Sequence, residues 1–442
     1  MAFTYHAPTR THCKVCEQLI ITDKRKPMIE TVNGRSSAAN GYPFHSWYNF
    51  VLGFTPTFPE YIIEKNNTNC SDLVVDPFTG SGTTQLVCKL KGIQSVGIDA
   101  NDFMVCAAQN KLNWDYNIPL IRSDLTQILN TYYAQIENKS DLFFIDYANN
   151  NRPKMLEERY FSSKPFAKWH ILKNVVKTCA SVENLELFDF ALSSIIVPAS
   201  NIKYGPGFGV GKQKVDCDIA KLFKDKMEVI ISDLSKVSQN QIQTKATVLL
   251  GDSRKVNKYI DENSVSLIIT SPPYPGDHEY TKYSKLELIL NNMATDLDSF
   301  RVIKKRMLRA STTNIYKDDN ESVNITDIVA IKDVVEEIDK RLKSDGATSG
   351  YEKLYTKLIL EYFGGMYSVF KSCYKILKPG GTMALLVSDS HAFKMVHIKT
   401  AELLAEVATK SGFSNATIEL WQKKYSTSHK YLLHENILIL TK

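Results

Sequence analysis

"LVVDPFTGSGTTQLVCKLKG", residues 73–92, decides how the rest of the chain is read. Leu73 to Val75 is a short apolar run that meets Asp76 and Pro77. Proline cannot donate to a ladder, so a strand stops there. Gly80-Ser81-Gly82 makes a turn, and the periodicity from Thr83 onward predicts an amphipathic helix. The unit is strand, glycine loop, helix. Glycines let a backbone approach a bound molecule closely, and a helix N-terminus presents unpaired N–H groups. A second strand, "SVGIDAN", ends at Asp99. An acidic residue that far beyond a glycine turn suits hydrogen bonds from ribose hydroxyls.

The glycine pattern is not G-x-G-x-x-G, and Asp76 stands where it would repel a pyrophosphate. A nucleoside cofactor with a cationic amino-acid end, such as S-adenosylmethionine, suits an aspartate there better than a nicotinamide dinucleotide does. An ordinary glycine turn of an α/β protein has similar letters, so this unit alone does not decide.

Residues 246–274, "ATVLLGDSRKVNKYIDENSVSLIITSPPY", repeat the logic. They parse as a strand (Thr247 to Leu250), an acidic turn (Gly251-Asp252-Ser253), a short helix, and a strand from Val265 to Thr270. Ser271-Pro272-Pro273-Tyr274 then closes that strand rigidly. All these loops fall at the carboxyl ends of parallel strands, the edge on which open α/β sheets bind ligands.

The bulk numbers agree with a folded enzyme core. The chain has 442 residues, 43% hydrophobic and 23% charged, with a net charge of +6. That length permits one core with large insertions, and the mild basicity is compatible with a polyanionic partner. "MAFTYHAPTRTHCKVC" has no apolar stretch of the kind a secretion signal needs, and no run suits a membrane span. A cytoplasmic location and no membrane contact are therefore expected, with the eight cysteines as reduced thiols. Cys13 and Cys16 make one CxxC beside His12, but a structural zinc needs about four ligands and no second CxxC exists, so no metal is expected.

With these motifs in hand, the chain resembles the DNA amino-methyltransferases, which methylate an exocyclic amine. "DPFTGSGTT" resembles that family's cofactor motif and "TSPPY" its catalytic motif. "FHSWYNFVLGFTPTFPEYI" (44–62), which includes Phe54, resembles the segment that closes over the methionine end of the cofactor. "ILKPGGTMALLVSDS" (376–390) resembles the fifth-strand entry, and "ATIELWQKKY" with "ENILILTK" the closing antiparallel hairpin. The resemblance implies a class I S-adenosylmethionine-dependent methyltransferase fold: α/β, Rossmann-like, with a seven-stranded sheet. It further implies that Phe54, Asp76, Pro77, Phe78, Gly80, Ser81, Gly82, Thr83, Asp99 and Asp252 hold S-adenosylmethionine, with Asp252 at the adenine edge.

Chemistry explains the Ser-Pro-Pro-Tyr motif. An exocyclic amine is a poor nucleophile because its lone pair is delocalised into the ring. Oxygen atoms that accept its N–H bonds pull it toward a tetrahedral, more nucleophilic state. The resemblance gives that task to the Ser271 side chain and the Pro272 carbonyl. Pro272 and Pro273 hold the acceptors rigid, and Tyr274 offers a face for a flipped base. Ring-carbon methylation needs a cysteine nucleophile, in that family after a proline, and this chain has no Pro-Cys dipeptide. Serine before Pro-Pro-Tyr goes mostly with cytosine N4 in the resembled family, whereas Asp or Asn goes mostly with adenine N6. The expected reaction is methylation of cytosine N4 in double-stranded DNA, with a restriction endonuclease as functional partner. Adenine N6 is the alternative on the same scaffold. RNA or protein methyltransferases with an Asx-Pro-Pro-Tyr loop, and a catalytically dead cofactor-binding regulator, are more distant readings.

The expected organisation is an N-terminal arm (1–40), a core formed by 41–110, 246–300 and 356–442, and two mainly helical insertions, 111–245 and 301–355. The cofactor motif precedes the catalytic motif, the reverse of many relatives with DPF-type motifs, so their placement of target recognition does not transfer. Within the first insertion, "PASNIKYGPGFGVGKQK" (198–214) reads as a long mobile loop whose Lys203, Lys212 and Lys214 suit phosphates. The second opens with Arg301, Lys304, Lys305, Arg306 and Arg309, a basic cluster expected to touch the DNA backbone. Tyr280 and Tyr283 suit either a base pocket or the core, and "KKYSTSHKY" (423–431) either DNA or plain solvent.

Overall fold

A computed structural model describes residues 42–204, 208–238, 244–276, 278–344, 349–426 and 431–442. Cys13, Cys16 and the whole of the expected N-terminal arm lie outside the described residues, as does the tip of the last hairpin. Among the described residues, no group of three or more His, Cys, Asp or Glu is placed to hold a metal. No helix among them is long and apolar enough to cross a membrane.

The strands are β1 (Leu73–Asp76), β2 (Gln94–Asp99), β3 (Ile202–Tyr204), β4 (Phe208–Val210), β5 (Ala246–Leu250), β6 (Val265–Thr270), β7 (Leu377–Ser388), β8 (Asn415–Ser426) and β9 (Tyr431–Thr441). Seven of them form one sheet in the order β5-β2-β1-β6-β7-β9-β8. The first five are parallel, while β9 runs antiparallel to β7 and β8. This is the class I methyltransferase arrangement that the motifs imply. The chain moves outward from β1 to one side and then returns to the other, so the order reverses between β1 and β6. A crevice opens outside the carboxyl ends of strands at such a reversal. The glycine loop leaves β1 and the Ser-Pro-Pro-Tyr loop leaves β6, so the two motifs meet there.

Side chains alternate between the two faces of a strand, and the core divides accordingly. Val74 of β1, with Ala384 and Leu386 of β7, packs against α1 (Thr57–Lys65) and α2 (Thr83–Leu90). Leu73 and Val75, with Met383, Leu385 and Val387, face the opposite side, where Tyr362, Phe363 and Phe370 of a long helix (Tyr355–Ile376) cover them.

After β2 come α3 (Asp102–Leu112) and the first insertion: α4 (Ile118–Ile136), α5 (Asp141–Asn151), α6 (Ser163–Cys179), α7 (Leu185–Ser194), α8 (Ile196–Ala199) and α9 (Ile219–Ser238). Trp169, Phe188, Phe190 and Tyr132 fill its interior, and one continuous apolar cluster joins them to Phe103, Ala107 and Ala108 of α3. The insertion therefore shares a core with the sheet domain. The glycine-rich stretch 198–214 is not one long loop. Ile202 to Tyr204 pairs antiparallel with Phe208 to Val210 as a short hairpin. Asn201 anchors its base, since its Oδ1 accepts the Lys214 N–H (2.9 Å) and its carbonyl the Gly211 N–H (2.7 Å). Side-chain amides can satisfy backbone groups in this way outside regular structure.

Beyond β6 lie α10 (Lys285–Leu290), α11 (Leu297–Arg306), α12 (Val329–Ser344), α13 (the long helix already described) and α14 (Thr400–Ser411). Helix α11 starts at a capping box, with Asp296 and Ser299 bonding reciprocally, and runs through position 301.

Candidate active site

Five strand ends set out the site in a row. Asp252 follows β5, Asp99 ends β2, the glycine loop follows β1, Ser271 follows β6, and Asp389 follows β7.

The glycine loop is held from below. Asp76 is fully buried, and its carboxylate accepts the Thr270 hydroxyl (2.7 Å), the Thr84 hydroxyl (2.7 Å) and the Phe78 N–H (3.0 Å). Burial pushes its pKa up to about 6, against the lowering effect of those three donors. Three donors thus already engage the carboxylate that is expected at the cationic end of the cofactor, and Asp76 ties the start of α2 to the last residue before Ser271. Thr270, the first letter of "TSPPY", is its partner on the neighbouring strand.

Gly80 and Gly82 both lie at positive φ, +52° and +88°, where side-chain-bearing residues are strained. A Cβ on Gly82 would press on Ala108 of α3 at 3.0 Å, whereas one on Gly80 would meet only the Phe50 ring at 4.0 Å. The outer face of the loop is thus open except where Phe50 approaches. Phe54 lies further along the same segment, edge-on to Phe58 (5.6 Å). Ser81 and Thr83 are buried, Phe78 is half-buried, and Pro77 ends the strand.

Asp99 accepts the Gly80 N–H (2.7 Å) on one oxygen and the Asn101 N–H (2.8 Å) on the other, and burial raises its pKa to about 6. Each carboxylate oxygen keeps a second lone pair, which suits ribose hydroxyl donors. Asn101 caps α3 and donates to the Ser284 hydroxyl (2.8 Å), which joins the β2 end to the segment after the catalytic loop. Asp252 is engaged by the Arg254 guanidinium through both oxygens (2.9 and 2.8 Å), and Arg254 also reaches Glu321 (3.3 Å). Its carboxylate serves an adenine edge only through the lone pairs that this fork leaves.

Ser271 is half-buried. Its hydroxyl donates to the Leu386 carbonyl of β7 (3.0 Å) and lies 3.1 Å from the Tyr274 hydroxyl. A hydroxyl has one proton and two lone pairs. With the proton on Leu386, the Ser271 oxygen meets any further partner as an acceptor. Pro272 is buried, and Pro273 and Tyr274 are half-buried. Tyr283 is buried against Tyr204 of the insertion hairpin (5.3 Å between rings), and the Tyr204 hydroxyl donates to the Tyr283 carbonyl (2.8 Å). Tyr283 thus belongs to the junction between insertion and core.

The residues present fit S-adenosylmethionine. The loop between β1 and α2 exposes backbone, Asp99 offers spare acceptors at the β2 end, and Ser271 stands on the adjoining strand end.

The basic cluster, expected to touch the DNA backbone, is ion-paired within the protein. Arg301 pairs with Asp298 (2.8 Å), Lys304 with buried Glu279 (3.2 Å), Lys305 with Asp318 (2.9 Å), Arg306 with Asp102, and buried Arg309 with Asp319 (2.9 Å). Each cation has a carboxylate, so the helix presents a neutralised face rather than a free positive one.

Comparison with known proteins agrees with this geometry. A family model described as DNA methylase, of the N6/N4 class, matches residues 40–110 and 265–442, more than half of the chain. The chain belongs to this DNA methylase family. The methylase is 23% identical over 428 residues to the type II methyltransferase M.BsoBI of Geobacillus stearothermophilus, covering 87% of this chain and 82% of that one. It is 21% identical over 401 residues to the type II methyltransferase M.AvaI of Nostoc sp., covering 84% and 79%. A shorter match, 37% over 101 residues, is to M.MjaII of Methanocaldococcus jannaschii, at 23% of this chain and 19% of that one. Membership of a methyltransferase family implies S-adenosylmethionine as methyl source and DNA as substrate.

Proposed function

We propose that this methylase transfers a methyl group to cytosine N4 at a specific site in double-stranded DNA, and so protects that DNA from a cognate restriction endonuclease. The carrying observation is the Ser271 hydroxyl, whose proton is directed onto the Leu386 carbonyl. S-adenosylmethionine, when bound, supplies an electrophilic methyl group. Phe78, Gly80, Ser81, Gly82 and Thr83 form the loop that would carry it, with Asp99 toward its ribose, Asp252 toward its adenine edge, and Phe54 on the segment beside it. The Ser271 oxygen accepts one amine N–H bond, and the Pro272 carbonyl is the second acceptor. Together they draw the nitrogen lone pair out of conjugation while both prolines keep the acceptors from relaxing. Tyr274 supplies a stacking face for an extruded base. A neutral hydroxyl is a weaker acceptor than a carboxylate, and the serine at this position supports cytosine over adenine.

The type II relatives support a place in a restriction–modification pair. The insertion 111–245 is the assigned target-reading element, since its hairpin contacts the segment after the catalytic loop. The arrangement suits an enzyme of the cytoplasm, where its DNA is.

The test is single-molecule sequencing of plasmid from cells that express the chain, beside a Ser271→Ala, Tyr274→Ala control. N4-methylcytosine in one short motif, absent from the control, is the expected result. The same mark on adenine would reassign the base and keep the site. Unmodified DNA, from a protein that binds the cofactor, would overturn the reading.

A further inference from the structure

Residues 44–50 form little regular structure beyond one 3₁₀ turn at His45–Trp47, yet Phe44 and Trp47 are completely buried. Charged side chains from three helices hold this segment. The Phe44 N–H and the Trp47 indole N–H both donate to Asp233 Oδ2 (2.9 and 3.0 Å). Lys226 Nζ donates to the Ser46 carbonyl (2.6 Å) and buried Lys111 Nζ to the Tyr48 carbonyl (3.2 Å). The Tyr48 hydroxyl donates to buried Glu287 (3.1 Å). Asp233 and Lys226 lie on α9 of the insertion, Lys111 on α3, and Glu287 on α10, just beyond the catalytic loop.

Buried charges are costly unless hydrogen-bonded, and apolar packing alone would attach a surface segment more cheaply. Directional bonds instead specify where the segment sits. Its last residue, Phe50, is the side chain that approaches Gly80.

We propose that Asp233 is a positioning residue for the cofactor loop, and that through it the 111–245 insertion and the glycine loop are energetically coupled. This rests on residues 76–83 being the cofactor loop. A displacement of α9 when DNA binds moves segment 44–50, and with it Phe50 relative to Gly80. Such coupling is reciprocal: DNA changes cofactor affinity by the same factor as cofactor changes DNA affinity.

The experiment measures S-adenosylmethionine Kd by calorimetry on the full chain, with and without a duplex bearing the motif found by sequencing. Asp233→Ala is expected to weaken cofactor binding by roughly tenfold and to abolish the effect of DNA. Asp233→Asn keeps an oxygen that accepts both N–H bonds and should bind close to wild type. Trp47→Phe keeps a ring and removes one donor, so it should fall between them. Wild-type affinity and wild-type DNA linkage in Asp233→Ala, with only a lower Tm, would overturn the proposal. If Asp233→Ala does not fold, unchanged affinity and linkage in Trp47→Phe would do the same. Gly80→Val separates the two readings. Wild-type cofactor affinity in Gly80→Val removes the cofactor-loop reading and this inference with it. Loss of binding there, with no effect at Asp233 or Trp47, removes this inference alone.

Discussion

The Ser-Pro-Pro-Tyr loop and helix α11 lie within forty residues of each other and both read as functional, yet the structure treats them oppositely. At Ser271 a polar group is oriented so that acceptor capacity is left over. On α11 and just after it, five cations each meet a carboxylate. The difference lies in where the partners come from. Two prolines and a strand end fix the loop locally. The charge on α11 is cancelled partly by neighbours and partly by Asp102 and Glu279, which belong to other elements. A charge cluster is a surface property only after its partners are known.

The largest effect that could break this comparison is on turnover. Ser271→Ala should lower kcat by roughly 10²–10³-fold, as removal of one preorganised polar contact does, with cofactor affinity nearly unchanged. A full rate in single-turnover assays would remove Ser271 from the chemistry. Next in size is Arg309→Met. Arg309 and Asp319 are both buried, and breaking such a pair destabilises by about 3–5 kcal/mol. Denaturant unfolding should show that loss, whereas unaltered stability would mean the cluster is not structural.

Glu287 sharpens the contrast through pH. It is fully buried, one of its oxygens has no partner among the described residues, and burial raises its pKa to about 7 from an ordinary 4.5. The folded state therefore holds this proton where the unfolded chain releases it. The resulting stability is complete below about pH 4.5 and is lost as pH rises to about 7. Glu287→Gln cannot titrate, so its stability relative to wild type should improve between pH 5 and pH 8, by up to about 3 kcal/mol. Parallel pH–stability curves would refute this. The smallest effect is expected for Arg301→Gln with Lys305→Gln. These exposed pairs should each contribute about 0–1 kcal/mol. The slope of log K for DNA against log salt should fall by less than about 1, the amount expected for one lost phosphate contact. A drop of two would restore α11 as a DNA-binding face.

Much of the scaffold was legible because it is local. Strand ends at Asp76, Asp99 and Thr270, the helix start at Thr83, and the closing hairpin follow from apolar runs, prolines and glycines whose effects reach only a few residues. The motif letters then named the family. The roles of single polar atoms were less legible. Asp76 reads as a ligand contact, and no letter shows that it also accepts from Thr84 and from Thr270, 194 positions away. Asp252 reads as a contact to the adenine edge of the cofactor, and no letter shows that Arg254 also holds it. Residues 198–214 read as a loop, because no local signal shows that Asn201 will anchor a hairpin. Phe50, Asn101 and Leu386 lie in segments that read as motifs, but no letter marks their individual contacts, and Asp233 lies in no motif.

The sequence by itself thus determined the order of strands and loops along the chain, because backbone restriction and hydrophobic period act over short range, and its motifs carried the resemblance that implied the fold class. Only the tertiary structure decided which carboxylates are spent, which cations are neutralised, and what holds segment 44–50. Hydrogen bonds and ion pairs depend on positions in space to within an ångström, and the pairs that matter here join residues up to 239 positions apart.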